Sequence, residues 1–388
     1  MGRLSDGSYI VPRTEWRQSS EPDTADSIEG EWWYKISTDE IYCFQDGSWS
    51  LYNAIGGGDG GDGGDGDGTS GDIGVFGGGY YSSNPYSGSY RNTIDYVTIS
   101  TPGNATDFGD LTEERHSLVA VSNGADDIGV FGCGWNGDFV ERMDYVTIST
   151  PGNAVYFGNL ANLYHMGSCS NGTSNRGLFA GGWTGTSAIS NIRYITISTP
   201  GNAVSIANLT QGRYHACGTS NGTNDRGVFS GGKSATYYPD PGYYDNEVWY
   251  NTIDYVTIST TGDATDFGDL LEEQLNCSST SNDTGDIAVV SSGYVSGGPS
   301  YDTYNIEYFM ISTTGNSSEF GDLSTFRYDS GACSNGTNDR GLFAGGYYPY
   351  TYYTIIDYIT ISSPGNATDF GDLTVTRNSL AATSNSAQ

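Results

Sequence analysis

The sequence predicts an all-β fold: a six-bladed β-propeller of four-stranded blades closed by the C-terminal strand, preceded by a small N-terminal β-hairpin. Three observations carry this expectation. Nearly the same phrase recurs along the chain, as TIDYVTISTPGNATDFGDLT from Thr93, TIDYVTISTTGDATDFGDLL from Thr252 and IDYITISSPGNATDFGDLT from Ile356. Tyr, Thr, Ile and Val crowd into short runs punctuated by Gly, Pro and Asn, the mark of strands and tight turns, while helix formers are scarce. The 388 residues include 57 glycines and 36% apolar side chains, long enough for a sizeable core but unlike a helical protein.

The first element stands outside the repeat. Residues 1–55 hold Trp16, Trp32, Trp33 and Trp49, four of the seven tryptophans. The run EWWYKISTDEIYCFQDGSWSLY reads as two aromatic strands around a polar turn, closed by Asp46-Gly47. A hairpin this apolar is not stable alone and needs a partner surface, so these tryptophans are expected to anchor the chain. The tract GGGDGGDGGDGDGTSGD at 56–72 reads as a flexible acidic tether. It resembles Gly-Asp repeats that coil around calcium, but those need a regularly spaced apolar residue, which is missing here. No metal or cofactor is expected.

Residues 73–388 form the repeat. Aligned on its tyrosine, the phrase places Tyr96, Tyr145, Tyr194, Tyr255, Tyr308 and Tyr358 in six units with a period near 50. Upstream lies an apolar strand ending in glycines, such as GVFGGG from Gly74 or GLFAGG from Gly177. Downstream come TDFGDL or a relative and then a strand such as RYHACGTSNG from Arg213. Four short strands per unit point to a propeller blade, because radial packing buries sheets that could not fold singly. The first unit begins at its second strand and the chain finishes with an orphan first strand at 377–385, so the C-terminal strand is expected to close the ring and remove two sheet edges.

The diglycine pair, the aromatic of the next strand and a later arginine resemble the Kelch repeat. Phe108, Phe157, Phe267, Phe320 and Phe370 stand where that repeat usually has Trp. Similarly, the N-terminal order of Gly, Trp-Tyr, short turn, Tyr, Asp-Gly and Trp resembles a small module near the ends of bacteriophage tail fibres and other virion proteins. This resemblance implies a virion location, with other virion proteins as partners of residues 1–55.

Alternation of strand direction puts the second-to-third and fourth-to-first connections on one face. The second-to-third connections vary widely and contain 17 of the 31 tyrosines. Rigid amphipathic rings on a repeated framework have the composition of a binding face, and aromatic faces also stack on sugars. The expected ligand-binding residues are Tyr237, Tyr238, Tyr243, Tyr244, Trp249 and Tyr250 in the longest loop, Tyr347, Tyr348, Tyr350, Tyr352 and Tyr353 in the last, and Trp135 and Trp183. The fourth-to-first connections add Arg115, Arg213, Arg327 and Arg377 at one register, replaced by Leu163 and Gln274. Such a ring either binds an anionic group or pairs with nearby carboxylates, for which Asp110, Asp269 and Asp372 are candidates. His165 and His215 stand two residues further on, without a third ligand to suggest a metal.

Composition narrows the function. A formal charge of −31 repels phosphate backbones and anionic membranes, so nucleic acid is not an expected partner. No apolar run approaches a membrane span, and MGRLSDGSYIVPR lacks a signal-peptide core, so synthesis in a cytoplasm is expected, with the six cysteines kept reduced. No catalytic constellation is identifiable. The combined expectation is a non-enzymatic bacteriophage virion protein, a tail or receptor-binding fibre whose Tyr-rich face binds a host-surface glycan or protein. The alternatives are a capsid decoration protein without a receptor role and a propeller enzyme acting on polysaccharide.

Overall fold

Every repeat unit folds into an antiparallel four-stranded sheet, and six such sheets make the propeller. The structure, a computed structural model, describes residues 71–83, 88–238, 243–260, 262–291, 293–295 and 305–386, together with four short strands nearer the N-terminus. Blade two shows the pattern: Val119–Ser122 innermost, then Ile128–Gly132, Arg142–Thr147 and Val155–Asn159. The innermost strands follow one another around the axis and line a narrow central channel of about 130 Å³.

The C-terminal strand closes the ring, as expected. Ala381–Ser384 is the innermost strand of blade one and pairs antiparallel with Ile73–Gly77, Ala381 opposite Gly77. A covalently open chain thus presents no unpaired edge at the closure.

The strands are short and largely buried because each blade is packed on both faces. The phenylalanine of each GVF or GLF strand wedges into its neighbour, so that Phe131 of blade two packs with Val75, Ile94 and Phe108 of blade one. A Cβ on Gly77 would lie 2.8 Å from the Phe131 ring, which is why blade one has a glycine there. The framework tyrosines are half-buried instead of fully interior: Tyr96 meets Phe108 edge-on at 5.9 Å, and Arg176, Arg226 and Arg340 cover Tyr194, Tyr255 and Tyr358 at 4.0–4.6 Å.

The FG pair of the outer strand sits at a register shift, and its glycine adopts positive φ. Gly158 has φ +159°, and a Cβ there would stand 2.1 Å from the Gly201 carbonyl oxygen of the next blade. Gly158→Ala is expected to destabilise the propeller by about 1–3 kcal/mol in denaturant titration. Gly152→Ala, with open space around its Cβ position, is the control and should change stability by less than about 0.5 kcal/mol.

On the face of the conserved-length turns, an amide from each blade bonds to the next. Asn123 reaches Asn175, Asn171 reaches Asp225, Asn221 reaches Asp286, Asn282 reaches Asp339, Asn335 reaches Asp72 and Asn385 reaches Asp127. Asp72 was expected to end the tether; it is a buried member of this belt and also accepts from Ser100 N. The compact unit that holds the propeller begins at Gly68.

Residues 1–67 form a separate unit. The expected two-stranded hairpin is a four-stranded sheet: Trp32–Lys35, Glu40–Gln45 and Ser48–Leu51 form an antiparallel meander, and Arg17–Gln18 adds in parallel to Trp32–Lys35. The aromatic run thus contains three strands where two were read, and Asp46-Gly47 lies outside the described residues. Trp32, Trp33 and Trp49 lie on those strands, whereas Trp16 lies outside the described residues. Among the described residues no helix is long and apolar enough to cross a membrane.

Candidate functional site

The two kinds of connection expected on one face do meet there, joined by backbone pairing. Each fourth-to-first connection bonds to the start of a second-to-third loop: Tyr80 with Asn378, His116 with Trp135, Tyr164 with Trp183, Tyr214 with Lys233, Leu275 with Tyr294, and Tyr328 with Tyr347. The loops then continue as small ribbons, among them Lys233–Tyr238 with Tyr243–Trp249 and Tyr347–Tyr348 with Thr351–Tyr352.

One residue further along each connection, the chain turns into the channel. Ser117, His165, His215, Asn276, Asp329 and Ser379, one per blade, all adopt left-handed φ between +52° and +62°. Each donates its N–H to the carbonyl of the one before it, Ser117 to Ser379, in a closed ring of six bonds 2.7–3.2 Å long. The conformation costs an L-residue roughly 1 kcal/mol and persists because the ring over-determines it. The six side chains make a polar collar at the axial mouth, around a pit of about 80 Å³. Nδ1 of His215 and Oδ1 of Asn276 are buried there without a hydrogen-bond partner. Burial holds His165 and His215 well below the usual histidine range and His116 down to about 4, so all three are neutral near pH 7. Burial also pushes Asp329 up to about 7, against hydrogen bonds from Ser379 and Asn378.

Outside the collar runs a belt of aromatic rings. Trp249 meets Tyr294 at 5.5 Å, Tyr294 meets Tyr328 at 5.7 Å, Tyr328 meets Tyr347 at 5.6 Å, and Tyr347 meets Tyr352 at 4.8 Å. Tyr352 touches Tyr80 and Tyr81, and Tyr80 touches Tyr90 and His116. The belt continues through His165 to Tyr214 and returns by Lys233, whose ammonium lies 5.6 Å from both the Tyr214 and Trp249 rings. Between blades one and six it opens into a depression of about 430 Å³ walled by Tyr80, Tyr90, Tyr328, Tyr347, Tyr352 and His116. Asp329, Asn378 and Ser379 supply its polar lining. An aromatic wall over a few convergent polar groups is the form of a small-ligand site.

Sequence reasoning reached only part of this site. Tyr347 and Tyr352 line the depression; Tyr348 stacks on Phe326 beside it, Tyr353 is half-buried, and Tyr350 projects into solvent, 93% exposed. In the longest loop Trp249 joins the belt, Tyr250 bonds to Ser234, and Tyr237 is half-buried against Trp183 and Tyr214. The side chains of Tyr238, Tyr243 and Tyr244 lie outside the described residues. Trp135 packs on Phe139 and Tyr164, whereas Trp183 is buried beneath Tyr214 at 3% exposure and presents no surface to a ligand.

The four arginines are placed differently from a ligand-binding ring. Arg115, Arg213, Arg327 and Arg377 are buried, and their guanidinium groups bond at 2.9–3.0 Å to Asp144, Asp254, Asp357 and Asp95, the aspartates of the Tyr-bearing strands. Their partners are therefore not Asp110, Asp269 or Asp372. A charge buried without its counter-ion is costly, and here each has one. Each aspartate also accepts from a Thr or Ser that opens the crossing into the next blade, as Asp254 does from Thr210 N and Oγ1. Blade five substitutes Gln274 and Glu307, and blade three has Leu163 with Arg193 at the aspartate position.

Tyr80, Tyr90, His116, Tyr328, Asp329, Asn378 and Ser379 were not among the expected site residues. The loop run YYSSNPYSGSY was the available signal for Tyr80 and Tyr90. No protein-family model matches the chain, and no curated protein does.

Proposed function

We propose that the propeller is a non-catalytic recognition module that binds a neutral glycan on a host surface through the depression between blades one and six. The tyrosine-walled depression with its Asp329, Asn378 and Ser379 lining carries the reading. Sugar rings offer apolar faces to the aromatic walls and hydroxyl donors to the carboxyl. Each stacked ring contributes about 0.5–1.5 kcal/mol beyond area burial, so one site is weak and repeated display strengthens it. Glycoside hydrolysis ordinarily uses two carboxyl groups. Among the described lining residues Asp329 is the one carboxyl, which favours binding over cleavage.

In this reading residues 1–67 attach the propeller to a larger assembly, a virion, and the Gly-Asp tract spaces it from that anchor. Support comes from the concentration of tryptophans in the N-terminal unit, its resemblance to a tail-fibre module, and the Kelch-like repeat. All three are sequence features.

Tyr352→Ala and Asp329→Asn are each expected to weaken adsorption to host cells roughly tenfold while leaving the far-ultraviolet dichroism unchanged. Parental adsorption by both folded variants would remove the depression from the function. A pH series adds a second readout. Asp329 titrates near 7, whereas His116, His165 and His215 facing it stay neutral across pH 6–8, so ionised carboxylate and sugar affinity should rise together over that window. Stability moves the other way. The folded carboxyl holds its proton to a higher pH than the unfolded one, so ionisation destabilises the fold as pH rises from about 4 through about 7. Asp329→Asn should flatten the affinity trend and remove the carboxyl's share of the stability loss, leaving the opposite contribution of the three depressed histidines, which grows as pH rises to about 6.5.

A further inference from the structure

Two cysteines of neighbouring blades lie beside the collar. Cys217 opens the innermost strand of blade four, Cys217–Ser220, and Cys277 directly precedes that of blade five, Ser278–Ser281. Their Sγ atoms are 2.9 Å apart, less than one ångström beyond a disulfide bond length of about 2.05 Å. Both thiols point at the same acceptor, the Ser230 carbonyl, at 3.8 and 3.6 Å. The remaining described cysteines have no such partner: Cys133 faces Ala161 O and Met166, and Cys169 and Cys333 are buried among apolar side chains. Access is asymmetric, because Cys277 is half-buried and lines the mouth pit while Cys217 is buried.

We infer that Cys217 and Cys277 are a modification site, forming an inter-blade disulfide when the protein passes from a reducing to an oxidising medium. The oxidant is a low-molecular-weight disulfide. The Cys277 thiolate attacks one of its sulfurs and expels the first small thiol; Cys217 then attacks the Cys277 sulfur of the mixed disulfide and expels the second. Two protein thiols and one small disulfide thus become one protein disulfide and two small thiols, with both protein hydrogens carried away on the latter. The hydrogen bond with Cys217, and then burial, hold the Cys277 thiol well above its usual range, so exchange is slow at neutral pH and accelerates about tenfold per pH unit. The bond would tie blade four to blade five just inside the hydrogen-bonded collar, where His215 and Asn276 are already joined. It does not depend on the glycan reading.

The test uses the full chain, purified under reducing conditions and incubated with oxidised glutathione at pH 8, then alkylated, digested and weighed. The expected product is one cross-linked peptide pair carrying Cys217 and Cys277, lighter by two hydrogen atoms than the sum of its reduced parts. The oxidised chain should also melt a few degrees higher, the direction set by constraining the unfolded state. Cys217→Ser should stop at the glutathione adduct on Cys277, which shows the order of attack without requiring a stability change. Full alkylation of both thiols in the folded wild type after oxidation would overturn the inference. So would a lasting adduct on wild-type Cys277, or cross-links joining other cysteines.

Discussion

Removal of residues 377–388 is expected to abolish the cooperative thermal transition of the propeller. The segment supplies the innermost strand of blade one, the buried Leu380 and Ala381, and one link of the collar through Ser379 N and O. Arg377 leaves with it, and its partner Asp95 would remain inside blade one with its charge unmatched. Asn385 also joins Ile73 N to Asp127 of blade two. Losing one buried leucine costs about 2–5 kcal/mol and orphaning a buried charge about 3–5 kcal/mol. Their sum rivals the ~5–15 kcal/mol that stabilises a typical domain. The truncation also bares the edges of Ile73–Gly77, so soluble yield should fall through aggregation. Differential scanning calorimetry decides the matter, and a melting curve like that of the full chain would refute closure by the C-terminal strand.

Asp254→Ala is expected to cost about 3–5 kcal/mol, measured from the denaturant midpoint. The substitution strands Arg213 in a buried site and removes the acceptor for Thr210, loosening both blade four and the crossing from blade three. Burial already lowers the Arg213 pKa against the pull of Asp254. The double variant Arg213→Leu with Asp254→Asn should recover much of the loss, because no unmatched charge remains. Blade three supports this expectation, since Leu163 occupies the arginine position without a carboxylate opposite. A single variant within about 1 kcal/mol of wild type would mean that water or main-chain groups satisfy the guanidinium unaided.

How far each feature was legible in the sequence depends on whether it repeats. The blades, their strand order and the face on which the variable loops emerge follow from near-identical phrases and strand alternation. The Arg–Asp pairs were half legible. The arginines stood out at one register, but the aspartate of IDY looked like an ordinary polar strand residue, because alternation cannot show that blades cover a sheet on both faces. Asp72 was read with the Gly-Asp tract because it shares that tract's composition, and only its bonds to Asn335 and Ser100 distinguish it.

The collar was in reach only at His165 and His215, and the depression only at Tyr347 and Tyr352, for a different reason. Ser117, His165, His215, Asn276, Asp329 and Ser379 share one backbone conformation but no side-chain chemistry, so no repeat announces them. The depression joins Tyr80 and Tyr90, near the start of the propeller, to Tyr328, Tyr347 and Tyr352, near its end. By itself the sequence determined the period, the blade pattern and the closure, since these rest on local strand and turn chemistry written six times. Tertiary structure alone decided which tyrosines share a wall and which charges disappear into the core. Both outcomes depend on ring closure, which sets blade six against blade one across most of the chain's length.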